Sequence, residues 1–260
     1  FLMSVSASPG PQFRRPWMRL ASARVSSKVA HLQQSFNLAG VRVFIGLLSG
    51  EEHLALPHVE VPDVRWVDWA ALKAAGFEGC VFDKDNTLTL PYALDVHDPL
   101  RESLDECRAV FGDRGLVLLS NSAGLRQYDI DGSKAARLER ELGVEVLRHS
   151  SKKPGGDASA LSERFGCAPE RLVMVGDRYF TDVVYGNRHG MLTIRTAPFT
   201  AKGEGVVIRA VRSLEDALVR RWAAQRKDRR RRARGGEDGT HPLLPTDAAL
   251  SAAVRSPGVW

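Results

Sequence analysis

Val81-Phe82-Asp83-Lys84-Asp85-Asn86-Thr87 begins at the end of an apolar run and finishes in a turn. Gly79 to Phe82 reads as a buried strand, the first of the chain. Alternation along an extended backbone points Asp83 and Asp85 the same way. Two acids at the carboxyl end of a parallel strand can bind a divalent cation and divide the chemistry. One attacks as a nucleophile while the other moves a proton. An isolated Asp-x-Asp is more often a surface pair in a loop, so the reading depends on what the rest of the chain supplies.

Outward from this stretch, apolar runs alternate with amphipathic segments, which is the pattern of a parallel α/β sheet. The pattern predicts helices over 99–110, 133–142, 157–165 and 181–189, and strands over 115–119, 144–147, 171–175 and 191–195. Strand ends in such sheets gather ligands at one edge. Asp83, Ser120 and Asp177 all fall there. The fold class expected is a Rossmann-like parallel sheet with helices on both faces.

The chain has 260 residues, 43% of them hydrophobic, and a net charge of +6. It is long enough for one substantial domain with extensions. Three scattered cysteines fit neither a zinc pattern nor a disulfide framework. The apolar run from Leu38 to Leu48 is too short to span a bilayer. No acidic residue precedes Glu51, and Arg14, Arg15, Arg19, Arg24, Lys28 and Arg42 stand among many serines. That composition suits an organellar transit peptide, mitochondrial or plastid, or else a disordered basic arm. A second basic run, Arg226-Lys227 and Arg229 to Arg232, suggests a solvated tail or a polyanion contact. Residues after Gly235 read as a low-order tail. The expected organisation is a transit and membrane-proximal segment over 1–50, a catalytic domain over 51–218 and an Arg-rich, disordered tail over 219–260.

Four ordered motifs, namely Asp83-Lys84-Asp85-Asn86-Thr87, Ser120, Lys153 before Pro154, and Gly176-Asp177 with Asp182, resemble those of the haloacid dehalogenase superfamily of phosphohydrolases. The resemblance implies that Asp83 is the nucleophile and Asp85 the general acid, then base. It makes Ser120, with the backbone N–H of Asn121, a binder of phosphoryl oxygens, and Lys153 the neutralising cation. Mg²⁺ would be held by Asp83, Asp177 and the backbone carbonyl of Asp85, with Asp182 ordering that shell. Thr87 is either a turn-stabilising hydroxyl or a catalytic one. The physics points the same way, because a carboxylate attacking a phosphate dianion needs positive charge beside it.

The gaps from Asp83 to Ser120 and from Lys153 to Asp177 leave no room for a sizeable cap domain. An open site suits bulky substrates, since closure is what excludes water around small ones. The local sequences Phe82 to Thr89, Ser120 to Gly124, Leu147 to Gly155 and Gly176 to Asp182 resemble the organellar phosphatidylglycerophosphate phosphatase family. Its activity, hydrolysis of phosphatidylglycerophosphate to phosphatidylglycerol on the way to cardiolipin, is the function that the resemblance implies. The lipid substrate and an anionic membrane are then the expected partners, with no nucleic acid, on the matrix side of the mitochondrial inner membrane or in a plastid. Phe36 to Leu48 reads equally as a helix in the membrane interface or one packed on the domain. Arg148, His149 and Arg178 are candidates for the second phosphate of the lipid, or for structural ion pairs. Trp66 and Trp69 fit core packing better than membrane anchoring. The competing reading is a lidless phosphatase of phosphoproteins or nucleic-acid ends, and a non-catalytic adaptor is disfavoured by the complete acid and lysine set.

Overall fold

The structure, a computed structural model of the chain, describes residues 38–201, 205–232, 241–244 and 247–255. Six parallel strands form one sheet in the order β1-β6-β5-β2-β3-β4. They are β1 (Val59–Val61), β2 (Gly79–Phe82), β3 (Leu116–Leu118), β4 (Glu145–Val146), β5 (Leu172–Gly176) and β6 (Leu192–Thr196). The first strand among the described residues is therefore β1 rather than the expected Gly79 to Phe82. It escapes a periodicity search because it is three residues long with exposed Glu60 at its centre. Central strands β2, β3 and β5 are buried along their whole length, as parallel strands covered on both faces must be.

Period-two alternation sends side chains from these strands into two separate cores. Phe82, Leu118 and Val175 join the larger core, beneath α2 (Trp69–Ala74), α3 (Arg101–Phe111) and α4 (Ser133–Leu142). Val81, Val117 and Met174 face the other side, under α5 (Ser159–Phe165). Gly79 has to be glycine there, since a Cβ would stand 2.2 Å from the Phe165 ring. Helix α3 docks through Leu104, Cys107 and Phe111, and α4 through Ala135, Leu138 and Leu142, each spaced three or four residues apart. Trp69 is fully buried, its Nε1 donating to Ser103 Oγ at 3.0 Å, and Trp66 packs partly buried against the same core.

A third cluster joins α1 (Leu38–Leu48), α6 (Val184–Arg188) and α7 (Val206–Arg232) through Leu47, Val184, Val219 and Trp222. Leu47 and Val43 pack α1 on the domain, while Ile45 and Leu48 stay exposed on its outer side. Helix α7 runs straight across the expected boundary at 218/219, and its Val219 and Trp222 are buried. The tail expectation needs a further correction. His241, Leu244, Leu250 of α8 (Asp247–Ala252) and Ala253 are buried on the domain. Val254 bridges Val67, and Asp68 N donates to Ala253 O at 2.9 Å. The transit segment lies outside the described residues except for α1. No helix among the described residues is long and apolar enough to cross a membrane.

The chain enters the sheet interior at β2, builds outward to β4, then crosses back to β5 and β6. This reversal leaves β2 flanked by strands from both halves, and ligand crevices form where strand order reverses. No separate cap intervenes: α3 and β3 fill the first gap, α5 and β5 the second.

Candidate active site

Register brings the motifs level. Phe82 pairs with Leu118 on one side and Val175 on the other. Asp83 N donates to Val175 O at 2.8 Å and Leu119 N to Phe82 O at 2.9 Å, so Asp83, Ser120 and Asp177 leave the sheet at one edge.

Lys153 sits at the centre of the resulting cluster, almost wholly buried. Its Nζ donates to Asp83 Oδ1 at 2.7 Å and forms an ion pair with Asp182 Oδ1 at 2.6 Å. Burial pulls the ammonium down, but Asp182 and Asp83 outweigh it and hold its pKa above the ordinary value. Burial raises Asp83, Lys153 partly offsets that, and Asp182 adds to the rise. Asp177 is raised by burial too, against the opposing charge of Arg212 and with help from Asp182 and Asp83. Asn121 fixes Lys153 through its main chain, Oδ1 accepting from Lys153 N at 2.7 Å and Nδ2 donating to Lys153 O at 3.3 Å. The Lys153-Pro154 peptide is cis.

Asp83, Asp177 and Asp182 each offer a carboxylate oxygen, all within 4.8 Å of one another. Asp177 Oδ2 and Asp182 Oδ1 are buried and take ion-pair contacts but no aligned hydrogen bond, so they keep ligating capacity. A small, hard cation with oxygen ligands fits this donor set. Asp182 also accepts from Arg178 N through Oδ2 at 3.1 Å, which orients it across the site.

Asp85 lies beyond the end of β2, where alternation no longer governs it. Its Oδ1 accepts from Lys84 Nζ at 2.5 Å and from Tyr92 N at 2.9 Å. Buried Lys84 also donates to Thr89 Oγ1 at 3.0 Å. Thr87 is fully buried, and its hydroxyl has no hydrogen-bond partner among the described residues, so it does not tie the turn. Ser120 Oγ and Ser122 Oγ are 3.1 Å apart, and Ser122 N donates to Ser120 Oγ at 3.2 Å.

The head-group candidates all have internal partners. Arg148 pairs with Glu139 at 2.5 Å, and Arg178 is held by buried Glu215 at 2.5 Å. The His149 ring spans Ser120 O at 2.8 Å and Ser151 O at 2.7 Å. Arg148 and His149 nonetheless line, with Lys153 and Arg126, a cavity of about 200 Å³. Arg178 does not line it.

Two residues at the site carry no sequence marker. Arg212 of α7 forms an ion pair with Asp177 Oδ2 at 2.6 Å, and Glu215 one turn later takes Arg178. The only trace in the sequence is a helical stripe, Arg212, Glu215, Val219 and Trp222, in which charge interrupts an apolar face.

Residues 38–200 match the family model described as mitochondrial PGP phosphatase. Over 245 residues the chain is 53% identical to phosphatidylglycerophosphate phosphatase 1, chloroplastic, of Chlamydomonas reinhardtii, covering 93% of this chain and 87% of that protein. It is 50% identical over 193 residues to phosphatidylglycerophosphate phosphatase 1, chloroplastic/mitochondrial, of Arabidopsis thaliana, covering 74% of this chain and 55% of that one. A mitochondrial phosphatidylglycerophosphatase of Saccharomyces cerevisiae is 34% identical over 114 residues, 42% of this chain and 61% of its own.

Proposed function

Since the chain belongs to the mitochondrial PGP phosphatase family, we propose that it hydrolyses phosphatidylglycerophosphate to phosphatidylglycerol and inorganic phosphate. The observation that carries the reading is the position of Lys153 between Asp83 and Asp182, beside Asp177, at the edge where β2 and β5 adjoin.

In this proposal Asp83 attacks phosphorus, and the bond from phosphorus to the glycerol oxygen breaks as the aspartyl-phosphate forms. Asp85 gives its proton to the departing oxygen, then takes one from water. That water attacks phosphorus, the Asp83–phosphoryl bond breaks and phosphate leaves. Lys153 neutralises the nucleophile before attack and the phosphoryl oxygens during it. Ser120 and the Asn121 N–H bind those oxygens. Asp83, Asp177 and the Asp85 carbonyl would hold Mg²⁺, which when bound supplies further positive charge at the phosphoryl group. Asp182 keeps Lys153 and the Asp177 loop in register, and Thr87 stands behind the turn.

The second phosphate of the lipid suits the cavity beside Lys153, with Arg126, Arg148 and His149 as its basic lining. Arg178 has no part in this, because it is buried against Glu215. Membrane contact would be peripheral. Ile45 and Leu48 on α1, and Val207, Val211 and Leu214 on α7, expose apolar side chains beside the basic residues Arg42 and Arg209. The organelle names of the relatives support placement in a mitochondrion or a plastid; in a mitochondrion the proposed place is the matrix face of the inner membrane.

The test is phosphate release from liposomes containing phosphatidylglycerophosphate, with Mg²⁺ and with chelator. Phosphopeptides and 3′-phosphorylated oligonucleotides serve as rival substrates. Release from the lipid alone, lost with chelator and in Asp83→Asn, is the expected result. Turnover of either rival without turnover of the lipid would replace the proposal.

A further inference from the structure

Helix α7 reaches the catalytic edge with a cation. Arg212 Nη2 stands 2.6 Å from Asp177 Oδ2, and only 17% of the Arg212 side chain and 2% of the Asp177 side chain remain exposed. Asp177 is one of the three acids whose oxygens lie within 4.8 Å of each other. Three carboxylates thus face two cations, Lys153 and Arg212, before any metal arrives.

The helix is built to carry this side chain without being fixed by it. Glu215, Val219 and Trp222 are buried and hold the stretch after Arg212. The stretch before it exposes Val206, Val207 and Val211. Arg212 therefore stands at the edge of the docked region, on a long side chain that can swing while the helix stays in place.

We infer that Arg212 is a phosphate-binding residue that rests on Asp177 and passes to the phosphate when a divalent cation takes Asp177. The chemistry follows from charge. A cation bound at Asp177 repels the guanidinium and competes for the carboxylate that holds it. An arriving phosphate dianion offers the guanidinium two oxygens in the planar geometry it favours. Arg212 thereby weakens metal binding in the empty site and strengthens phosphate binding in the loaded one, so the two ligands bind cooperatively. Such coupling is reciprocal, and typical values correspond to about 5–150-fold in affinity. The inference rests on the phosphatase reading for the identity of the anion alone.

The experiment titrates Mn²⁺ into the 260-residue chain by calorimetry, with and without inorganic phosphate, for the wild type, Arg212→Gln and Arg212→Lys. Arg212→Gln is expected to bind Mn²⁺ at least about fivefold more tightly than the wild type when phosphate is absent. In the wild type, phosphate tightens Mn²⁺ binding; in Arg212→Gln that gain shrinks, and Arg212→Lys restores part of it. Weaker Mn²⁺ binding in Arg212→Gln would mean that the arginine merely orients Asp177, and an unchanged phosphate effect would likewise overturn the inference. Unaltered circular dichroism and Trp222 environment show that α7 is still docked in each variant. Liposome hydrolysis by the wild type, run in parallel, fails or succeeds independently of these binding results and so tests the parent reading separately.

Discussion

Gly176 and Asp182 are in contact across the turn that ends β5: a Cβ on Gly176 would lie 2.4 Å from both Cβ and Cγ of Asp182. Asp182 reaches Lys153 and Arg178 N only because nothing occupies that space. Gly176→Ala is expected to push the carboxylate away, to cost about 1–3 kcal/mol by overpacking, and to lower kcat at least tenfold. Denaturant unfolding and steady-state kinetics check the two effects. Wild-type kcat in a folded Gly176→Ala protein would show that Asp182 is dispensable.

Removing the ammonium from the centre of the cluster leaves buried acids without their counter-charge. Lys153→Met should destabilise by about 3–5 kcal/mol near neutral pH and reduce turnover by at least about 10²–10³-fold. The burial and mutual repulsion that raise Asp83 are then less opposed. A carboxyl whose folded pKa is raised binds its proton more readily folded than unfolded, so the variant's stability should fall as pH rises through that range. Thermal unfolding from pH 5 to 8 measures it.

Asp83 and Asp85 divide differently under mutation. Asp83→Asn should abolish phosphoenzyme formation while the protein stays folded. Asp85→Asn keeps the nucleophile and should slow both half-reactions, with activated esters that need no protonated leaving group rescuing the first. Bursts of the released fluorophore from a fluorogenic monoester, which report phosphoenzyme formation, discriminate the two variants. Equal loss of the burst in both would remove the acid–base role from Asp85.

His58 is neutral inside the protein. Burial, then the neighbouring His241 and Arg226, lower its pKa to about 4, while Thr193 N donates to its Nδ1 at 3.1 Å. The unfolded chain takes up a proton near pH 6.5 and the folded one does not until about pH 4. Stability contributed by this group is therefore present above pH 6.5 and is lost as pH falls toward 4, by at most about 3 kcal/mol. His241, also held below its usual value by burial, adds to the same trend. His58→Gln should flatten the stability profile over that interval, as read by urea midpoints.

Truncation and charge removal at the C-terminus should part company. Ending the chain at residue 240 removes buried Leu244, Leu250 and Ala253 from the larger core and should lower stability by several kcal/mol, on the order of 2–5 for each large side chain lost. Replacing Arg229 to Arg232 with glutamine should leave turnover of soluble esters unchanged. A large kinetic loss there would place the arginines in the site.

Legibility tracked the range of the interactions involved. The ends of β2, β3 and β5 are visible because an uninterrupted apolar run followed by polar groups fits little besides a buried parallel strand, and Asp83, Ser120 and Asp177 come with them. Strand β1 is three residues with a charge in the middle, and only its ladder with β6 makes it a strand. Residues 241–244 and 247–255 have no periodicity of their own, and their placement comes from contacts that include Val67, Trp66 and Asp68, far back in the chain. Arg212 lay in a tract where arginine is common, so one specific arginine could not be told from its neighbours. Asp85 is legible beside Asp83 in the sequence, but its hold on the Tyr92 amide and Lys84 depends on turn geometry that alternation does not describe.

The reversal of strand order around β2 makes the reactive centre a seam between an earlier and a later half of the polypeptide. Asp83, Ser120 and Lys153 come from the earlier part, and the acids after Gly176 with the arginine of α7 come from the later one. A fragment ending before β5 would hold Asp83 and Lys153 without Asp177, Asp182 and Arg212, which complete the charge cluster. Chemical competence is consequently an all-or-nothing property of the finished chain, gained only when the two margins close on each other.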